Sequence, residues 1–171
     1  MKKVPPTRLN DLKSSAKQLY KKFLLRDLHA IQRFAKWYPE YTQSTEFIDS
    51  IKLKHAFSVI ACEYEFDDWS SLKHYVVAQD MLYRKSGVPF VHAWFKKPQD
   101  ATDYFNTHGG YLLKFWGDYI VCGEEYIGIL NLNTFEKEWR AIGFNWVHPK
   151  NEVAFMKLQA AAETNYLNLK Y

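Results

Sequence analysis

The chain has 171 residues, 47% of them hydrophobic and 25% charged, the length of one ordinary domain or two small ones and the balance of a folded chain. At this size roughly 70% of the unfolded surface can be buried, so stability requires neither a disulfide nor a metal. The net charge of +4 hides an asymmetry: residues 1–37 carry ten basic and two acidic side chains, a net +8, and the remaining 134 carry thirteen and seventeen, a net −4. No apolar run approaches the roughly 20 residues of a membrane span, which excludes a spanning helix, and no membrane partner is expected. The opening MKKVPPTRLNDLKSS has basic residues but no apolar stretch behind them, so it is not expected to be a secretory signal.

All seven glycines lie at or after position 87. The first 86 residues therefore read as helices joined by short turns, with few positions that need positive φ. Asn10 or Asp11 caps a helix with the apolar stripe Leu12, Ala16, Leu19, Phe23 and a solvated face of Lys13, Lys17, Lys21 and Lys22. Asp27 caps a second helix, with Leu28, Ile31 and Phe34 inward and an end near Pro39. A third spans about Lys54 to Tyr64, with Phe57, Ile60, Ala61 and Tyr64 on one side. Asp68 caps a fourth, striped by Trp69, Leu72 and Val76.

The segment from Lys52 to Lys73 carries Ile60-Ala61-Cys62-Glu63-Tyr64, a short turn with Phe66, then Trp69-Ser70-Ser71-Leu72-Lys73. It resembles the helical segment that precedes ankyrin repeats in many bacterial proteins, a likeness that runs loosely from Leu12 to about residue 76. Two departures stand out. That segment usually has glycine where Glu65 stands, so a different helix cap is expected here, and no Thr-Pro-Leu-His signature follows, so the repeats themselves are absent. The resemblance implies a bacterial accessory or interaction module without an assigned catalytic role.

After Lys85-Ser86-Gly87-Val88-Pro89, where the domain boundary is placed, the pattern alternates. Pro89–Lys96 reads as a strand. Pro98 and Asp100 open a helix with Ala101, Tyr104, Phe105 and His108 inward, stopped by Gly109-Gly110. Tyr111–Phe115 and Tyr119–Cys122 read as strands of a hairpin turning at Trp116-Gly117-Asp118. Short helices follow over Glu124–Leu132 and Thr134–Ala141, then a strand over Gly143–Val147. Pro149 opens a last helix striped by Phe155, Leu158, Ala162 and Tyr166. The expected fold is α+β: a four-helix module at 1–86 and a small sheet covered by helices at 87–171.

The chemistry is sparse. Cys62 and Cys122 match no zinc or redox spacing and point to a reducing, cytoplasmic setting. His108-Gly109-Gly110 looks like an esterase oxyanion loop, but no Gly-x-Ser-x-Gly accompanies it. Cys122, between a strand end and a helix start, is the nucleophile candidate, with His92, His108 or His148 as its histidine partner and Glu124 beside it, although Glu124 and Glu125 oppose a thiolate. His92, His108, His148, Glu124 and Asp118 lack metal-ligand spacing, and no phosphate-binding glycine loop occurs, so no metal or cofactor is expected.

Two binding readings remain. Thirty aromatic residues, 18% of the chain, suit either a ring-built core or a stacking surface. On the second view Trp116, Asp118, Tyr119, Asn145 and Trp146 form a site for a protein partner or small ligand, and this binding role is the favoured function. The alternative is nucleic-acid binding, in which the third and fourth helices resemble a helix-turn-helix and Lys13, Lys17, Lys21 and Lys22 track phosphates. Asp67 and Asp68, at the start of the would-be recognition helix, carry the wrong sign for that role.

Overall fold

The computed structural model describes residues 4–39 and 50–169; Lys2 and Lys3 of the basic segment lie outside them. The fold is α+β, and the chain forms two compact units, Met1–Val76 and Val77–Tyr171. Lys85–Pro89, where the first glycine appears, lies inside the second unit, in a 3-10 helix over Lys85–Phe90.

The first unit holds α1 (Leu9–Leu24), α2 (Leu28–Trp37), α3 (Leu53–Glu63) and the start of α4 (Trp69–Asp80). Helix α1 buries Leu9, Leu12, Ala16, Leu19 and Phe23, the apolar stripe at helical spacing. Its N-cap is Arg8, with no side-chain cap bond, because the helix starts ahead of Asn10 and Asp11. Asp27 does cap α2, accepting a 2.9 Å hydrogen bond from the Ala30 N–H. The buried face of α2 is Ala30 and Phe34, rotated from the expected stripe, and Leu28 points outward. In α3 the buried residues are Ala56, Val59, Ile60 and Ala61, leaving Phe57 and Tyr64 half-buried. Phe57 stacks obliquely on Trp69, centroids 4.6 Å apart, and Asp68 caps α4 through Ser71 N–H at 2.7 Å.

Four helices end the same way. After α1, α3 and two short helices of the second unit, Arg26, Glu65, Asn131 and Gly143 take φ of 60°, 63°, 55° and 70°. Each is followed by the paired backbone bonds of a Schellman turn, as in Glu65 N–H to Cys62 O and Phe66 N–H to Ala61 O, both 3.0 Å. Among its described residues the glycine-free half thus contains two left-handed positions, filled by Arg26 and Glu65. The different cap expected at Glu65 is not found; glutamate adopts the conformation glycine favours.

In the second unit β1 (Val91–Phe95), β2 (Tyr111–Phe115) and β3 (Asp118–Cys122) form an antiparallel sheet in the order β1-β3-β2. Helix α5 (Pro98–His108) covers one face, where Ala101, Leu112 and Val121 pack with Phe95, Tyr104, Phe105 and Tyr119. Only Ala101 of α5 is fully buried, and His108 is exposed. Then come α6 (Glu124–Ile129), α7 (Glu136–Ile142) and α8 (Glu152–Leu167). Gly143–Val147 is not a strand: it contributes one parallel bridge, Asn145 to Leu112, because the turn at Gly143 and Phe144 and the Asn145 side chain curl it away. Helix α8 starts at Glu152 with Asn151 as cap, its side chain accepting from Ala154 N–H, so Pro149 lies outside it. Its buried stripe is Ala154, Leu158, Ala162 and Tyr166, and Phe155 is half-buried.

A left-handed L-residue costs about 1–2 kcal/mol that glycine does not incur. Glu65→Gly should therefore stabilise the chain by about 1 kcal/mol, read as a higher urea midpoint at unchanged m-value; a lower midpoint would show that the Glu65 side chain itself supports the turn.

Candidate functional site

The hairpin turn places Trp116, Asp118 and Tyr119 close together, but each is already engaged. Trp116 has φ 51°, a conformation that L-residues rarely adopt. Two bonds hold it there: its backbone N–H donates to Gln79 O at 3.0 Å and its indole Nε1–H donates to Asp80 Oδ1 at 2.9 Å. Asp118 forms an ion pair with Lys96. The Tyr119 ring packs into the cluster under α5 and carries the Lys114 ammonium 5.6 Å from its centroid.

Asn145 and Trp146 sit beside Leu112, at the other end of β2, about 13 Å from Trp116 by strand rise. Asn145 Oδ1 accepts from the backbone N–H of Val147 (2.9 Å) and His148 (2.8 Å), a local turn that occupies its carbonyl. Trp146 is buried, 5.9 Å from Trp139 and 4.9 Å from Phe155, centroid to centroid. The structure therefore brings Trp116, Asp118 and Tyr119 together, and Asn145 with Trp146, but does not join the two groups.

The catalytic candidates do not assemble either. Cys122 is fully buried at the end of β3, its thiol 3.7 Å from Tyr111 O, and burial pushes its pKa up to about 12. Burial favours the neutral thiol over the thiolate that a nucleophile needs. His108 stacks on Tyr104 with centroids 4.0 Å apart, its Nδ1 3.0 Å from Tyr104 O. Glu124 is exposed in the first turn of α6. Among the described residues no three His, Cys, Asp or Glu side chains are grouped so as to hold a metal ion.

On the first unit Lys17, Lys21 and Lys22 are exposed and Lys13 is half-buried. Lys13, Lys17 and Lys21 recur every four residues along one face of α1. Lys22 borders a groove of about 220 Å³ with Leu12, Leu19, Arg33, Ile60, Glu63 and Tyr64 among its walls. Arg33 is committed to Glu63 through two 2.7 Å hydrogen bonds. At the start of α4, Asp67 and Asp68 are exposed, and hydrogen bonds from Ser71 hold the Asp68 carboxyl below its ordinary range. That helix end presents fixed negative charge, which opposes a phosphate backbone.

Sequence reasoning missed the polar centre of the second unit. Asp80 and Arg84 are buried, at 3% and 6% exposure. Besides Trp116, Asp80 accepts the Tyr166 hydroxyl at 2.7 Å. Arg84 donates to the carbonyls of Met81 and Tyr83 and lies 5.4 Å over the Tyr166 ring. The Tyr126 hydroxyl accepts from Arg84 N–H and donates to Leu82 O at 2.9 Å. A Cβ on Gly87 would meet the Tyr126 ring at 2.6 Å, so that glycine is required by close approach. The one signal in the sequence is Asp80 and Arg84 four residues apart between apolar neighbours.

No protein-family model, curated protein or solved structure matches the chain.

Two outcomes follow from this geometry. Tyr166→Phe removes a hydrogen bond to a buried carboxylate and should cost about 2 kcal/mol in chemical denaturation; an unchanged midpoint would show that the Tyr166 hydroxyl does not help to hold Asp80. At pH 8 a thiol of pKa about 12 is ionised in roughly one molecule in ten thousand. Iodoacetamide should then label half-buried Cys62 first and Cys122 only in urea, as read by peptide mass mapping; rapid native labelling of Cys122 would restore it as a reactive thiol.

Proposed function

We propose that the chain is a non-catalytic binding module that engages a protein partner along the open edge of its sheet. One observation carries this reading: the exposed rings among the described residues of the second unit lie at that edge. Strand β1 pairs only with β3 among the described strands. Beside it Phe90 is 39% and Trp94 42% exposed, and Trp94 is the one exposed tryptophan among the described residues. An extended segment of a partner adds to such an edge through backbone hydrogen bonds, with exposed rings as anchors. The register shift between Val91 and Ala93 breaks the regular edge at His92, which disfavours indiscriminate pairing and favours a matched partner.

On this reading Phe90 and Trp94 take the role expected of Trp116, Asp118, Tyr119, Asn145 and Trp146, since the Trp116 indole is bonded to Asp80 and Trp146 is buried. An interaction role also accords with the resemblance of residues 12–76 to a bacterial accessory segment, and the free thiols of Cys62 and Cys122 accord with a reducing cytoplasm.

Isolation of the untagged chain from its native cell, followed by native mass spectrometry, should show a stoichiometric protein partner. Trp94→Ala should weaken that complex by about thirtyfold, the effect of truncating a central tryptophan, with an unchanged circular dichroism spectrum. A chain that carries no partner, or a complex indifferent to Trp94→Ala and Phe90→Ser, would overturn the reading.

A further inference from the structure

The corner between α1 and α2 exposes three leucines in five residues: Leu24 at 53%, Leu25 at 73% and Leu28 at 73%. At the other three Schellman turns the residues joined by the outer backbone bond are both apolar: Phe66 with Ala61, Leu132 with Ile127, and Phe144 with Trp139. At the α1 corner the residues so joined are Asp27 and Lys22. The hydrophobic contact that usually closes such a turn is therefore missing, and the leucines are displayed instead.

The surroundings of these leucines are cationic. Lys17 and Lys21 precede Leu24 by seven and three residues and share its face of α1. Lys22 is exposed on the same turn, and Arg26, exposed, occupies the left-handed position between Leu25 and Leu28. His29 is exposed beside Leu28. Asp27, between Arg26 and Leu28, is engaged as the cap of α2.

We infer that this corner is a docking surface for an anionic lipid bilayer: the leucines enter the acyl boundary and the cations meet the headgroups. Three features select this occupant. The leucines protrude, so they suit a soft apolar phase more than a shaped groove. Leucine ringed by lysine is interfacial composition, whereas both residue types are under-represented at the energetic centres of protein interfaces. A second copy of the corner would bring like charges together. The contact is peripheral and reversible, since each cation near an anionic surface contributes about a fivefold factor in affinity. A surface contact of this kind departs from the expectation of no membrane partner, and it implies no spanning: no described helix is long and apolar enough to cross a membrane.

The test is sedimentation of the full chain with vesicles of phosphatidylcholine alone or with 30% phosphatidylserine. The anionic vesicles should bind it at 0.1 M salt and release it at 0.5 M, where screening is strong, and neutral vesicles should bind little. Lys17→Gln with Lys21→Gln should weaken binding about 25-fold. Leu24→Ser with Leu25→Ser and Leu28→Ser should weaken it at least tenfold without lowering the melting temperature, because these side chains are exposed. Two results would overturn the inference: no binding to anionic vesicles at 0.1 M salt, or binding that survives the three serines. Tighter lysine-dependent, leucine-independent binding to duplex DNA would also overturn it and favour the nucleic-acid reading of α1. Loss of the Trp94 complex leaves all these arms unaffected, so the two proposals fail separately.

Discussion

The second unit is organised by one buried carboxylate. Asp80 is 3% exposed, and a carboxylate withdrawn from water must be given donors or it destabilises the fold by several kcal/mol. Its donors come from far along the chain: the Trp116 indole is 36 positions away and the Tyr166 hydroxyl 86. Meeting that demand ties the β2–β3 turn and the last turn of α8 to the C-terminal end of α4. It also accounts for the backbone of Trp116, whose φ of 51° is sustained because indole and backbone N–H are both held by that end of α4. The neighbouring Arg84 donates through Nη1 to the carbonyls of Met81 and Tyr83 in its own turn.

Much of the local structure was legible because its causes are local. The stripe Leu12, Ala16, Leu19, Phe23 announced the buried face of α1, Asp27 its cap on α2, and Pro98 with Gly109 the limits of α5, which runs Pro98–His108. What escaped depends on competition or distance. Helix α1 begins at Leu9 despite the good caps at Asn10 and Asp11, since burial of Leu9 outweighs a missing cap bond. Leu28 follows a cap and looks inward in the pattern, yet Ala30 and Phe34 take the buried face. Arg26 and Glu65 accept left-handed backbone without glycine because the paired Schellman bonds offset the strain. The site failed to converge for a similar reason. Trp116 falls at a predicted turn and Trp146 near a predicted strand end, places that suit site rings, and the Asp80 bond that engages the first cannot be seen in any window of sequence.

This division of the rings shapes the functional reading. Trp116, Trp139 and Trp146 spend their indoles on internal contacts, and Tyr126 and Tyr166 spend their hydroxyls on the polar centre. Among the described residues of the second unit, the exposed rings are then Phe90 and Trp94 at the sheet edge. The cysteine at the end of β3 follows the same logic: its burial favours packing and disfavours the thiolate that chemistry would need. In the first unit the basic residues split as well, Arg33 being taken up by Glu63 while Lys17, Lys21, Lys22 and Arg26 stay in solvent beside outward-facing leucines.

The most direct test of this account is hydrogen exchange at the indole N–H groups, followed by nuclear magnetic resonance on the ¹⁵N-labelled chain and assigned by single Trp→Phe variants. The Trp116 indole, held by Asp80, should exchange with the slowest class, alongside Trp139, whose Nε1–H donates to Leu132 O at 3.1 Å. Trp94 should exchange fastest in the second unit. Equal, rapid exchange at Trp116 and Trp94 would mean that Asp80 does not hold the turn, and the separation of structural from accessible rings would fail with it.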